Sequence, residues 1–315
     1  MDDVYSLLRQ VRDFINQPRI KQELFKEKAL FYQLCSSLDM AEDSQSAIDS
    51  FGKYLRGKPN KGRTYIEIFG LLQALYLQQD AAIDLAESLK FPITIDQYPR
   101  LKEIREIRND AAGHPTKRGA IRGRPPKSWN FIIQHSMSLD SFEVMCWHLP
   151  EGHTRIPVKT KEVINDQKAY IVDILQKTYK EIKQRDLELK AKFNVNKITD
   201  IFPNTIGYMC EKMGSAIGHI HESTLGEFGA TGLQTILMNF EAELKNRNIE
   251  ITTYPGIELT YTELRYPLEK LQEHFSNSTS LDKEAAYIYV DFVRNKMNEL
   301  KSMAEELDKE FAETL

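Results

Sequence analysis

The sequence predicts a mainly α-helical protein: an antiparallel helical bundle with an inserted β-hairpin, followed by a mostly helical α+β region. Three observations carry this. Apolar residues recur at helical spacing through most of the 315 positions. Breakers are sparse, with 15 glycines and 12 prolines. The helical period lapses between residues 129 and 148 into a run rich in aromatic and β-branched side chains. A hydrophobic content of 41% against 28% charged residues is a globular balance, and the length suits about two domains of ~150 residues.

Taking the elements in order, Val4, Leu7, Leu8, Val11, Phe14 and Ile15 form one stripe, so a helix is expected over 3–16, ended by Pro18. A second amphipathic stretch carries Leu24, Leu30, Phe31, Leu34 and Leu38, and a shorter one Ile48, Phe51 and Leu55 before the breakers of GKPNKG. Residues 64–89 are apolar on most sides, as in the central helix of a bundle. A helix from about Tyr98 to Ala112 stops at Gly113, with Pro115 beyond. The hairpin is expected within WNFIIQHSMSLDSFEVMCWH, turning at Leu139–Asp140–Ser141, and a long helix over 160–193 can pair with 64–89. Periodicity lapses again from Asn194 to Pro203. This divides the chain into a bundle, 1–193, with its basic loop and hairpin inserted at about 115–155, and a C-terminal region, 195–315. In the latter, MCEKMGSAIGHIHE, LQTILMNFEAELKNR and about 282–312 read as helices, and IEITTYPGIELTYTEL as two strands around Pro255–Gly256.

Charge divides the same way. Residues 1–194 hold 31 Lys+Arg against 26 Asp+Glu, whereas 195–315 hold 11 against 20. Residues 115–130 carry Lys117, Arg118, Arg122, Arg124 and Lys127 and no acid, which points to a polyanionic partner. No run approaches the ~18 apolar residues of a membrane span, and MDDVYSLLRQ is acidic and amphipathic rather than signal-like, so a cytoplasmic location is expected. Cys35, Cys146 and Cys210 are too scattered for a disulfide framework or a cysteine zinc site.

The chemistry concentrates in EIREIRNDAAGHPTKRG. Leu101, Ile104, Ile107 and Ala111 define the buried stripe of helix 98–112, and Arg108, seven residues from Leu101 and four from Ile104, falls on its core-facing side. A guanidinium keeps its charge there, so the position requires an interface, a cleft or an ion pair. His114 follows six residues later. An unbroken helix would turn it roughly 120° away, and a left-handed Gly113 would swing it back.

Arg108-Asn109, four intervening residues and His114 resemble the Arg-polar-x(3–5)-His signature of HEPN domains (higher eukaryotes and prokaryotes nucleotide-binding), here closing one helix of a bundle between two long ones. The resemblance covers residues 1–193. It implies a HEPN-like bundle and a metal-independent endoribonuclease without cofactor, whose composite site lies at a homodimer interface. It further implies that His114 shuttles protons, Arg108 stabilises the phosphorane and Asn109 positions the phosphate or the partner histidine, leaving a 2′,3′-cyclic phosphate and a 5′-hydroxyl. Many such proteins are toxins or abortive-infection effectors in antiviral defence.

The five basic residues of 117–127 are the candidate RNA contacts, with Trp129 and Phe131 able to stack a base. His135, His148 and His153 lack carboxylates at ligand spacing, and the GHIHE cluster at 218–222 does not share a helix face, so no metal is expected. The acidic C-terminal region is either a solvated surface or a module that receives an antitoxin or a trigger. No nucleophile elbow or Walker signature occurs. The alternative function is a non-catalytic scaffold binding RNA or a protein; possession of both Arg108 and His114 favours the enzyme.

Overall fold

A computed structural model describes residues 3–53, 60–119, 126–150, 152–193, 196–217, 223–276 and 281–312. The chain is mainly helical with one small antiparallel sheet, and it divides into two compact units. Unit 1 comprises Met1–Gln17 and Leu24–Lys183, unit 2 Pro18–Glu23 and Gln184–Leu315. The division falls inside a long helix rather than after it, and a short N-terminal segment belongs to unit 2. Among the described residues no helix is long and apolar enough to cross a membrane.

In unit 1, α1 (Val4–Ile15) starts at a capping box between Asp3 and Ser6 and buries the six residues of its stripe. α2 (Pro18–Phe25), most of which belongs to unit 2, opens on the proline that ends the first run, while in unit 1 α3 (Lys28–Ser50) packs along α4 (Lys61–Ser88). α5 (Pro99–Arg108) begins with Pro99 in its first turn, and α6 (Thr160–Phe193) leads on into unit 2. A chain of buried amides crosses this bundle. Gln78 of α4 donates to Gln45 of α3 (2.8 Å), Gln167 of α6 to Gln78 (3.1 Å), and Gln79 to Gln167 (2.7 Å). Each amide thus finds a partner where none could find water.

The expected hairpin is a three-stranded antiparallel sheet: β1 (Trp129–Ile132), β2 (Ser141–His148) and β3 (Gly152–Lys159), in the order β1-β2-β3. The link from β1 passes through a 3₁₀ turn at Gln134–Ser136 and then bends at Leu139–Asp140, as expected, where the Ser138 N–H donates to the Ser141 carbonyl at 2.8 Å and the Ser141 N–H to Ser138 Oγ at 3.0 Å; Ser141 already pairs with Lys159. β3 escapes the pattern because Val158 alone of its eight residues is buried, so an edge strand of this kind shows no apolar alternation.

Unit 2 is helical throughout its described residues: α7 (Ile206–Ala216), α8 (Ser223–Asn246), α9 (Pro255–Phe275) and α10 (Lys283–Ala312). The two strands expected around Pro255–Gly256 do not form. Pro255 occupies the first turn of α9, and Ile257, Thr260, Leu264, Leu268 and Leu271 are its buried face, a 3.6-residue period that outweighs local β propensity. The region is therefore α, not α+β, in what is described. Its core gathers residues such as Phe202, Cys210, Leu233, Phe240, Leu268 and Leu300, all at most 3% exposed. Inside it Arg247, 1% exposed, bonds Glu243 and lies 5.2 Å from the Phe193 ring and 5.0 Å from that of Phe311.

Candidate active site

The end of α5 is where sequence expectation and structure can be compared most closely. α5 does not run to Ala112. At Asn109 the backbone widens into a single π turn, Asn109–Gly113, closed by the His114 N–H donating to the Asn109 carbonyl at 3.0 Å. Such an extra residue changes the direction of every side chain beyond it. It takes the place of the expected left-handed glycine, for Gly113 is not among the residues of positive φ.

Arg108 is half-buried rather than core-facing. Its Nη2 donates to Gln73 Oε1 at 2.7 Å, its Nη1 to Asn109 Oδ1 at 3.0 Å, and its guanidinium lies 4.4 Å from the Tyr76 ring centroid. The same head group rests on Gly113, where an added Cβ would stand 2.5 Å from Nη1. Gly113 thus leaves the space that the guanidinium occupies, and an added Cβ would displace it. Asn109 joins the three signature residues, its side chain holding Arg108 and its carbonyl holding His114. The His114 side chain is exposed.

The neighbouring arginines set Arg108 apart. Arg100 pairs with Glu103 and Asp166, Arg105 with Asp80 at 2.5 Å, and Arg118 with Glu106 and Asp110. Arg108 has polar and aromatic neighbours but, among the described residues, no carboxylate. Arg105 takes the other contact with Tyr76, 4.8 Å from the ring, and donates to Gln79 at 2.8 Å, so the buried amide chain ends beside the signature.

The basic segment divides by role. Arg118 Nε reaches Asp110 Oδ1 at 2.8 Å, which also accepts from Asn130 Nδ2 at 2.9 Å, tying the π turn to β1. Burial pushes the Asp110 carboxyl above its ordinary value against the pull of Arg118. Lys117 is exposed, and the Lys127 stem lies against Gly119, whose φ of +67° suits glycine. Arg122, Arg124 and the 218–222 cluster fall outside the described residues. Among those described, no three His, Cys, Asp or Glu side chains gather as metal ligands.

Sequence reasoning missed Gln73, Tyr76 and Arg105. A trace was there: Arg105 and Arg108 are three apart, as are Gln73 and Tyr76, so each pair shares a helix face. Which faces meet is a matter of tertiary register. No protein-family model, curated protein or solved structure matches this chain.

Proposed function

We propose that unit 1 is a metal-independent endoribonuclease of HEPN type, acting as a homodimer and serving as a toxin or anti-phage effector. The observation that carries the reading is Arg108: a guanidinium fixed by Gln73, Asn109 and Tyr76, uncompensated by any described carboxylate, one residue's width from the backbone that bears His114. A fixed positive charge without a counter-ion suits an anion that arrives with the substrate.

RNA supplies its own nucleophile. The 2′-oxygen bonds to phosphorus as its proton passes to a base, and the phosphorus–5′-oxygen bond breaks as that oxygen receives a proton. One His114 can take the first proton and the partner's His114 give the second, while Arg108 faces the phosphorane oxygens. A two-fold axis brings two copies of one short motif together. The outer face of α4 supports such pairing: Ile66 is 72% exposed, Phe69 40% exposed and Gly70 has open space beside it, on the helical row that continues to Gln73 and Tyr76. The acidic surface of unit 2 is then where an antitoxin or trigger would act.

The test is cleavage of total RNA in EDTA by the purified chain. Cyclic-phosphate and 5′-hydroxyl ends are expected, with His114→Ala and Arg108→Ala each at least ~100-fold slower. A divalent-ion requirement, 5′-phosphate ends or a fully active His114→Ala protein would reject this reading in favour of the scaffold.

A further inference from the structure

The small sheet has two unlike faces. Alternation places Asn130, Ile132, Phe142, Val144 and Cys146 inward, all buried, with Asn130 reaching Asp110 of the π turn. The opposite face carries Trp129, Phe131 and Trp147. Phe131 is 49% exposed and Trp147 52% exposed, although folding normally hides such rings. Register makes them one surface: Trp129 is opposite Trp147, which is opposite His153, and Phe131 is opposite Met145, which is opposite Arg155. The Trp147 and His153 rings lie 5.8 Å apart. Trp147 and Phe131 are diagonal neighbours, a separation of about 7–8 Å that a flexible strand spans between successive nucleotides.

Charge selects the occupant. Arg155 and His153 stand among the rings, and Lys117 and Lys127 lie where the acid-free segment meets β1 through the Arg118–Ser128 bridge. Glu143 is the acid on this face, 3.9 Å from Arg155. Aromatic rings bordered by cations match unstacked bases on a phosphate backbone, whereas a duplex hides its base faces.

We infer that this open face is a stacking platform for single-stranded RNA, on which at least two bases lie against Trp147 and Phe131 while Arg155, Lys117 and Lys127 meet phosphates. The choice of RNA rests on the ribonuclease reading; the stacking does not. Asn130 ties the inward face to Asp110 of the π turn, so the platform and the π turn belong to the two opposite faces of one small sheet.

The chain's two tryptophans both lie on this face, so its emission reports the platform. The experiment titrates the full chain with an uncleavable 2′-O-methyl oligouridine and with a duplex of equal length. Saturable quenching by the single strand alone is expected. Phe131→Ala, which keeps both fluorophores and lies on the face opposite the buried one, should weaken binding about 5- to 150-fold, the value of one stacked base. Trp147→Ala, followed by anisotropy of a labelled strand, should do likewise and Trp147→Phe should restore much of the loss. Absence of quenching, equal quenching by duplex, or unchanged affinity in both alanine variants would overturn the platform. So would emission that shifts with protein concentration alone, the sign of a second copy covering the face. Binding with wild-type quenching in a chain that cuts no RNA would leave the platform standing and reject the nuclease.

Discussion

Replacing Gly113 by alanine separates the architecture of the signature from its stability. The new Cβ would stand 2.5 Å from Arg108 Nη1 and 3.2 Å from both Cζ and Asn109 Oδ1, so the guanidinium must retreat by about 1 Å to reach ordinary contact. That retreat breaks the 3.0 Å bond from Nη1 to Asn109, a loss of about 1 kcal/mol. Against it, alanine gains about 1 kcal/mol over glycine in helical backbone, and Gly113 is not in the left-handed region, so no strain is added. The two terms nearly cancel, leaving stability within about 1 kcal/mol of wild type. Activity has no such compensation, since a group misplaced by 1 Å costs roughly 100-fold. Urea unfolding followed by far-UV circular dichroism measures the first quantity, and single-turnover cleavage of an oligoribonucleotide the second. A Gly113→Ala chain that cuts RNA at the wild-type rate, or that loses more than about 2 kcal/mol, refutes the role assigned to this contact.

Arg247→Ala should remove the buried guanidinium from between the Phe193 and Phe311 rings together with its ion pairs to Glu243 and Asp308 and cost about 3 kcal/mol, lowering the circular-dichroism midpoint in urea. Because both tryptophans belong to unit 1, their emission midpoint should hold; a coincident fall in both signals contradicts this. Lys117→Ala with Lys127→Ala should flatten the dependence of log affinity on log salt by about 1.4, at about 0.7 per contact on single strands, and an unmoved slope would mark these lysines as merely solvated. Burial raises the Cys146 thiol from 9.0 to about 11 and that of Cys210 in the same direction, so a thiol reagent at pH 8 should label the native chain at Cys35 alone. Between the ordinary value and about 11 the folded chain keeps a proton that the unfolded chain has lost, so stability falls as pH rises, and Cys146→Ala should reduce the fall in urea midpoint from pH 8 to pH 10. Equal falls in the two proteins would count against it.

Long periodic helices were readable in advance because their signal repeats. Val4 to Ile15 and Ala286 to Leu307 each carry several turns of one apolar face, and the helices form where those faces predict. Readings failed where the signal was local. The β-branched residues of IEITTYPGIELTYTEL suggested strands, but burial follows the longer period of α9; β3 has too little to bury to be seen. At the site, the sequence located Arg108, Asn109 and His114 and misjudged how they meet. A π turn has no composition cue, and the pairing of Gln73 and Tyr76 with Arg108 depends on the register of two helices, Gln73 and Arg108 standing 35 residues apart in the sequence. The buried glutamines were equally silent, because an amide looks solvent-seeking until its partner on another helix is known.

The segment Pro18–Glu23 also bears on how the chain is made. Arg19 forms a buried ion pair with Asp186, 167 residues later, and both belong to unit 2. At ~5–20 residues per second, synthesis delivers that aspartate about 8–33 s after the arginine. All of unit 1 has been translated by then. The nascent chain therefore carries, through the whole synthesis of its first unit, an arginine reserved for its second, and the counter-charge arrives only at Asp186, in the last turns of α6.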